Sequence, residues 1–313
     1  MKNELVKEVK LKGKIMKFSS RFIDAHYRKT VGYQRNMLIK KVVSLFLLLT
    51  IASWAQATTG VFPKSIFDSL DYGLYWYGNN DSYEKAIPGH TNAYYNKNKP
   101  TIIYVHGWQQ NSSTNQSRET WNVVENEGPD VDLAHAWRQE GYNIGILYWN
   151  QFADENEVKD AEAKIWATNG KRNMRWRDSS GNYHSGPNQS AGQLMFESLR
   201  DNMSNYKGSR IIIAGHSLGN QMAVVISKKI QQGIAAGNTN KKLMPKRIAL
   251  LDPFYSKGKK SYLNNRWTGE VARDYVDSLK SDGVIFEAYR SSGVSSTGVA
   301  GDKNVGLLNK TAF

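Results

Sequence analysis

Hydrophobic and polar positions are most regularly patterned between Arg210 and Ile230. Ile211, Ile212, Ile213 and Ala214 form a continuous apolar run, and Met222, Val225 and Ile226 then share one face at helical spacing. A short branched run followed by a 3.6-residue period reads as strand, then helix. The same alternation recurs along the chain. Apolar runs at 101–105, 144–149, 247–251 and 284–289 read as strands. Residues 131–140 carry Leu133 and Trp137 one turn apart, after a Pro129-Asp130 start signal, and read as a helix. So do 190–206, with Leu194, Leu199 and Met203, and the segment bearing Val271, Tyr275 and Leu279. Strands alternating with helices predict an α/β fold with a mostly parallel, doubly wound sheet.

Two stretches lack this rhythm. Residues 58–100 are rich in Tyr and Asn and read as an irregular lead-in with edge strands, the clearest at 73–77. Residues 151–188 hold Trp166 and Trp176 among charges and read as a lid insertion with a short helix near 159–166. Gly293 to Gly298 reads as loop.

The amino-terminal end changes the domain count and the charge. Lys40 and Lys41, an apolar run at 42–52 and Ala55-Gln56-Ala57 form the three parts of a signal peptide over residues 37–57, with cleavage after Ala57. Residues 1–36, which carry ten Lys or Arg against three acids, read as a mis-called upstream extension with Met37 as the true start. Residues 58–313 then form one domain of a secreted or periplasmic protein. The whole chain has net charge +14, but residues 58–313 hold 30 basic and 25 acidic residues, a net +5. That modest excess removes most support for a nucleic-acid partner. The basic cluster Lys171, Arg172, Arg175 and Arg177 is a candidate for peripheral contact with a lipid surface. With no cysteine in the chain, disulfides, thiol chemistry and Cys/His zinc sites are excluded, and no metal or cofactor is expected.

Candidate chemistry sits where strands end. Between the 211–214 strand and its helix lies Gly215-His216-Ser217-Leu218-Gly219. A serine on such a turn stands above the sheet edge, and the flanking glycines permit strand and helix to cross closely. The 101–105 strand ends in His106-Gly107-Trp108, and the 247–251 strand in Asp252-Pro253. In an open parallel sheet the ligand crevice lies at those carboxyl ends. Ser217 is thus the candidate nucleophile and Asp252 the orienting acid, with Asp302 a weaker one. The N–H groups of Leu218 and Trp108 are the candidate oxyanion donors, with His106, Gly107, Gly215, His216 and Gly219 in support.

These three motifs resemble the α/β-hydrolases, and specifically the pancreatic-type lipase group, over residues 100–290. The resemblance implies a serine hydrolase acting on carboxyl esters of lipids or small molecules, without a cofactor, with the acid placed on the strand after the nucleophile helix. It departs from that group at Asn220 and Phe254. It departs further at the base: chain order implies a histidine after Asp252, yet the histidines are His26, His90, His106, His135, His184 and His216. The expectation is a sheet incomplete at its carboxyl end, with the base beyond Phe313. His184, in the insertion, is the one histidine a flexible loop would carry to Ser217. The alternatives are a serine peptidase or acyltransferase on the same fold, and a secreted binding protein that has lost its base.

Overall fold

The computed structural model describes residues 59–123, 131–291 and 301–312. The extension at 1–36, the signal segment at 37–57 and the loop from Gly293 to Gly298 lie outside these residues.

Seven strands form the central sheet. They are β1 (Gly73–Tyr77), β2 (Tyr83–Lys85), β3 (Thr101–Val105), β4 (Asn143–Tyr148), β5 (Ile211–His216), β6 (Arg247–Leu251) and β7 (Ile285–Tyr289). Their order across the sheet is β7-β6-β5-β3-β4-β1-β2. The five strands from β7 to β4 run parallel, and β1 lies antiparallel to both its neighbours. The chain steps outward from β3 to β4, then returns past β3 to begin β5. Strand order therefore reverses between β3 and β5, which opens a crevice at their carboxyl ends. This is the mostly parallel, doubly wound sheet that the alternating pattern predicts, and it fits the α/β-hydrolase fold that the motif resemblance implies.

The Gly73–Tyr77 strand was expected at an edge. Instead it is fully buried inside the sheet, because β2 pairs outside it and aromatic residues pack on both its faces.

Helices α2 (Val158–Trp166), α3 (Ala191–Asn202), α4 (Gly219–Ala235) and α5 (Thr268–Ser281) build the main core against one face of the sheet. Helix α1 (Leu133–Gln139) and the side chains of Phe62, Phe67 and Trp121 cover the other face of β1, β3 and β4. Helix α1 starts two residues later than the sequence suggests, because the Asp132 side chain accepts the His135 N–H as its cap. Below β5, β6 and β7 that second face is only half covered, and every other residue there is partly exposed. At the outer edge of β7, Ala312 makes a parallel bridge to Glu287.

Candidate active site

The Ser217 backbone is unusual for a serine. It has φ +52°, a left-handed conformation that a non-glycine residue adopts only when its surroundings impose it. The surroundings can be named. Strand β5 ends at His216 and α4 starts at Gly219, so the reversal takes two residues. The Ser217 N–H bonds to the Leu251 carbonyl at 3.0 Å, and its own carbonyl accepts from the Asn220 backbone and side chain at 3.2 and 2.9 Å. The buried Asn220 amide also donates to the Leu251 carbonyl at 2.8 Å. Asn220, a departure from the lipase pattern, therefore fastens the elbow to the end of β6, one residue before Asp252.

The glycines have steric roles. A Cβ on Gly215 would lie 2.3 Å from the Gly219 carbonyl oxygen, and one on Gly219 would lie 2.1 Å from that of Val105. A Cβ on Gly107 would meet the Ser217 Cβ at 2.8 Å. The loop after β3 thus packs directly on the serine. The Leu218 N–H belongs to the leading turn of α4, whose first donors have no intrahelical acceptor. The positive end of the same helix lies beneath the hydroxyl.

His106 holds that loop in shape and is not a base. It is fully buried, and its Nε2 accepts the Trp149 N–H at 3.1 Å, which leaves the proton on Nδ1 to donate to the Gly107 carbonyl at 2.9 Å. Its ring stacks on Trp149, whose indole donates back to the His106 carbonyl. Burial lowers its pKa to about 3. The Trp108 indole is fixed in turn by a 2.7 Å bond to the Glu155 carbonyl.

Asp252 also has positive φ, at +43°, and its N–H bonds to the Tyr289 carbonyl at 2.8 Å. Its carboxylate accepts the Ser291 N–H at 2.7 Å and the Ser291 hydroxyl. The expected acid is therefore on the expected rim, and a serine at the end of β7 engages it.

The described histidines lie elsewhere. His135 bonds to Gln139 on α1, and His90 is exposed in a turn. His216 ends β5 on the face shared with Ile212 and Ala214; on the strand after the His106 loop, burial raises the Glu119 carboxyl above its ordinary pKa. His184 stacks on Trp176 and bonds to Asp178 at 2.7 Å in an exposed hairpin. Burial works to raise the Asp178 pKa, but hydrogen bonds from His184, Asn182 and Ser180 prevail and hold it at about 2. Among the described residues no histidine bonds to Ser217 or Asp252. Asp302 bonds to the Tyr255 carbonyl through its N–H and, through its carboxylate, to the Asn304 N–H.

The 151–188 segment is folded: it contains α2 and a hairpin pairing Trp176–Arg177 with Tyr183–His184. Glu162 at its centre is fully buried, a position sequence periodicity does not reveal. Its carboxylate accepts from Gln221 at 2.7 Å, Thr268 at 3.0 Å and the Ser256 N–H at 2.9 Å. It thereby joins the insertion to α4 and to the loop after Asp252.

Residues 152–243 match the family described as Lipase (class 3), a stretch that contains the insertion, β5, Ser217 and α4 but stops short of Asp252. No curated protein matches the chain. Among solved structures, an inhibited esterase B from Lactobacillus rhamnosis is 14% identical, over 80% of this chain and 73% of its own, at a TM-score of 0.30. A putative carboxylesterase from Lactobacillus plantarum is 16% identical, over 62% of this chain and 64% of its own, at 0.33. Acylaminoacyl peptidase from Pyrococcus horikoshii is 11% identical, over 59% of this chain and 23% of its own, at 0.28. Likenesses this low say nothing of substrate or mechanism. The protein is an α/β-hydrolase by fold, lipase-like across the segment that carries the elbow.

Proposed function

We propose that this protein is an exported carboxyl ester hydrolase with Ser217 as nucleophile. The Ser217 oxygen attacks the ester carbonyl carbon and gives up its proton. The oxyanion is met by the N–H groups of Leu218 and Trp108. The alcohol leaves with a proton, and water then cleaves the acyl-serine to release the acid. The observation that carries this reading is the left-handed Ser217 elbow, packed against Gly107 at the point where strand order reverses. In this reading Asp252, which ends the strand next to β5 on the same rim, is the residue that would orient a base.

With no described histidine at that position, the reading predicts slow turnover. A triad without its base loses about a million-fold and keeps only the share due to binding and the oxyanion donors. Free imidazole in the buffer can stand in for the missing group. Hydrolysis of a p-nitrophenyl ester by the full chain should be slow and rise with imidazole, and the rise should vanish in Ser217→Ala. Equal stimulation of both proteins would contradict the proposal. The Ser291 contact to Asp252 favours a second reading, a binding protein without turnover. That reading predicts saturable binding of an ester analogue and no Ser217-dependent hydrolysis with or without imidazole.

A further inference from the structure

We propose that the amino-terminal edge of the sheet, opposite the rim that bears Ser217, is a docking surface for an anionic lipid bilayer. Lys97 and Lys99 precede β3, Lys207 and Arg210 precede β5, and Lys241, Lys242 and Lys246 precede β6; all seven are exposed. Because these strands are parallel, their leading segments share one edge, and hydrogen bonds join them into one surface. The Lys207 N–H bonds to the Lys97 carbonyl at 2.8 Å, the Thr101 N–H to the Arg210 carbonyl at 3.0 Å, and the Lys246 N–H to the Ile211 carbonyl at 2.9 Å. Asn240 ties the third segment to the second through the Tyr206 carbonyl.

None of the seven forms an ion pair with a carboxylate among the described residues. Of the acids around this edge, Glu140 is exposed ahead of β4, Asp282 bonds to Gln231, Asp201 to Arg200, and Glu287 pairs with Arg247 beside Lys246. The cluster singled out in the sequence is different. There Lys171, Arg172, Arg175 and Arg177 each pair with a carboxylate, of Glu157, Asp160, Glu155 and Asp154 in turn. A modest net charge thus conceals one strongly positive face.

Apolar side chains at the same edge favour lipid over other polyanions. Ile285, 52% exposed, follows Lys246 through a backbone bond. Trp137, 39% exposed, packs edge-on against Tyr142, whose ring lies under the Arg210 guanidinium. Basic residues with an exposed indole and an aliphatic side chain match the headgroup region of an anionic membrane. Strands of five or six residues separate this edge from the rim by about 20 Å, so a docked molecule presents its crevice away from the bilayer. The inference does not depend on the role of Ser217.

The chain has no cysteine, so one introduced cysteine can carry a polarity-sensitive fluorophore. The label goes on Ser209→Cys at the basic edge or, as a control, on Ser180→Cys in the hairpin beside the rim. Residues 1–57 are common to every variant, so the label reads the face and not the tail. On phosphatidylcholine vesicles containing phosphatidylglycerol, the label at 209 should shift blue. Its partition should exceed that on pure phosphatidylcholine about tenfold or more, and about 0.5 M salt should reverse the response. Lys207→Glu, Lys241→Glu and Lys242→Glu together should remove it, while the salt and lipid comparisons on unaltered charges stand without that variant. The proposal is overturned by an equal response to both vesicle types, by a response at 180 as large as at 209, or by a response to a duplex oligonucleotide but not to vesicles.

Discussion

Ser217, Asp252 and Gly219 show why the site tolerates little change. Two non-glycine residues with positive φ sit at the adjacent ends of β5 and β6, and the buried Asn220 amide bonds to the carbonyls of Ser217 and of Leu251, the residue before Asp252. Gly219→Ala forces a methyl to within 2.1 Å of a carbonyl oxygen that cannot swing aside. It should cost about 3 kcal/mol or more, read as a lowered midpoint in urea denaturation. His106 gives a pH signature. Its folded pKa of about 3 lies below the unfolded value of about 6.5, so unfolding takes up a proton between those limits. The stability it confers is complete above pH 6.5 and falls by at most ~1.4 kcal/mol per pH unit as pH drops toward 3. His106→Asn should flatten the slope of unfolding free energy between pH 6.5 and 5 by about one proton. An unchanged slope would mean that His106 is already charged in the native protein.

At the scale of elements, Glu162 couples α2, α4, α5 and the loop after Asp252 through one carboxylate. Glu162→Ala leaves the buried donors of Gln221, Ser256 and Thr268 without an acceptor. It should cost about 2–4 kcal/mol in urea denaturation. It should also speed hydrogen exchange at 158–166 and 254–260, and a change confined to α2 would contradict the coupling. The sequence could not have shown this hub. Hydrophobic periodicity reports which side of a helix is apolar, whereas Glu162 is a charged residue buried by three segments remote in sequence. For the same reason 151–188 reads as unpatterned: its helix is short, and ion pairs such as Lys164 with Glu155 hold much of it in place of an apolar stripe. The elbow was legible because strand, turn and helix are contiguous, and one tight reversal dictates its glycines. In the sequence Asn220 is only a departure from a pattern, because its partner, the Leu251 carbonyl, is remote along the chain.

For the whole molecule, alternation of strands and helices predicts the parallel sheet, and the carboxyl-end rule brings Gly107, Ser217 and Asp252 to one rim. Neither predicts that Gly73–Tyr77 lies inside the sheet, since an all-buried strand of aromatics has no alternation to read. Nor does net charge reveal a basic edge. The Lys and Arg residues concerned are scattered from 97 to 246, and only parallel pairing gathers them. The division of the molecule into a chemical rim and a basic edge follows from strand direction. The account rests above all on the hydroxyl at the elbow. The most direct measurement is to treat the full chain with a fluorophosphonate in the presence of imidazole and map the adduct by peptide mass spectrometry. The account predicts one adduct per chain, on the peptide bearing Ser217, accelerated by imidazole and absent in Ser217→Ala. An adduct on another residue, or labelling of the Ala variant at the same rate, would contradict it.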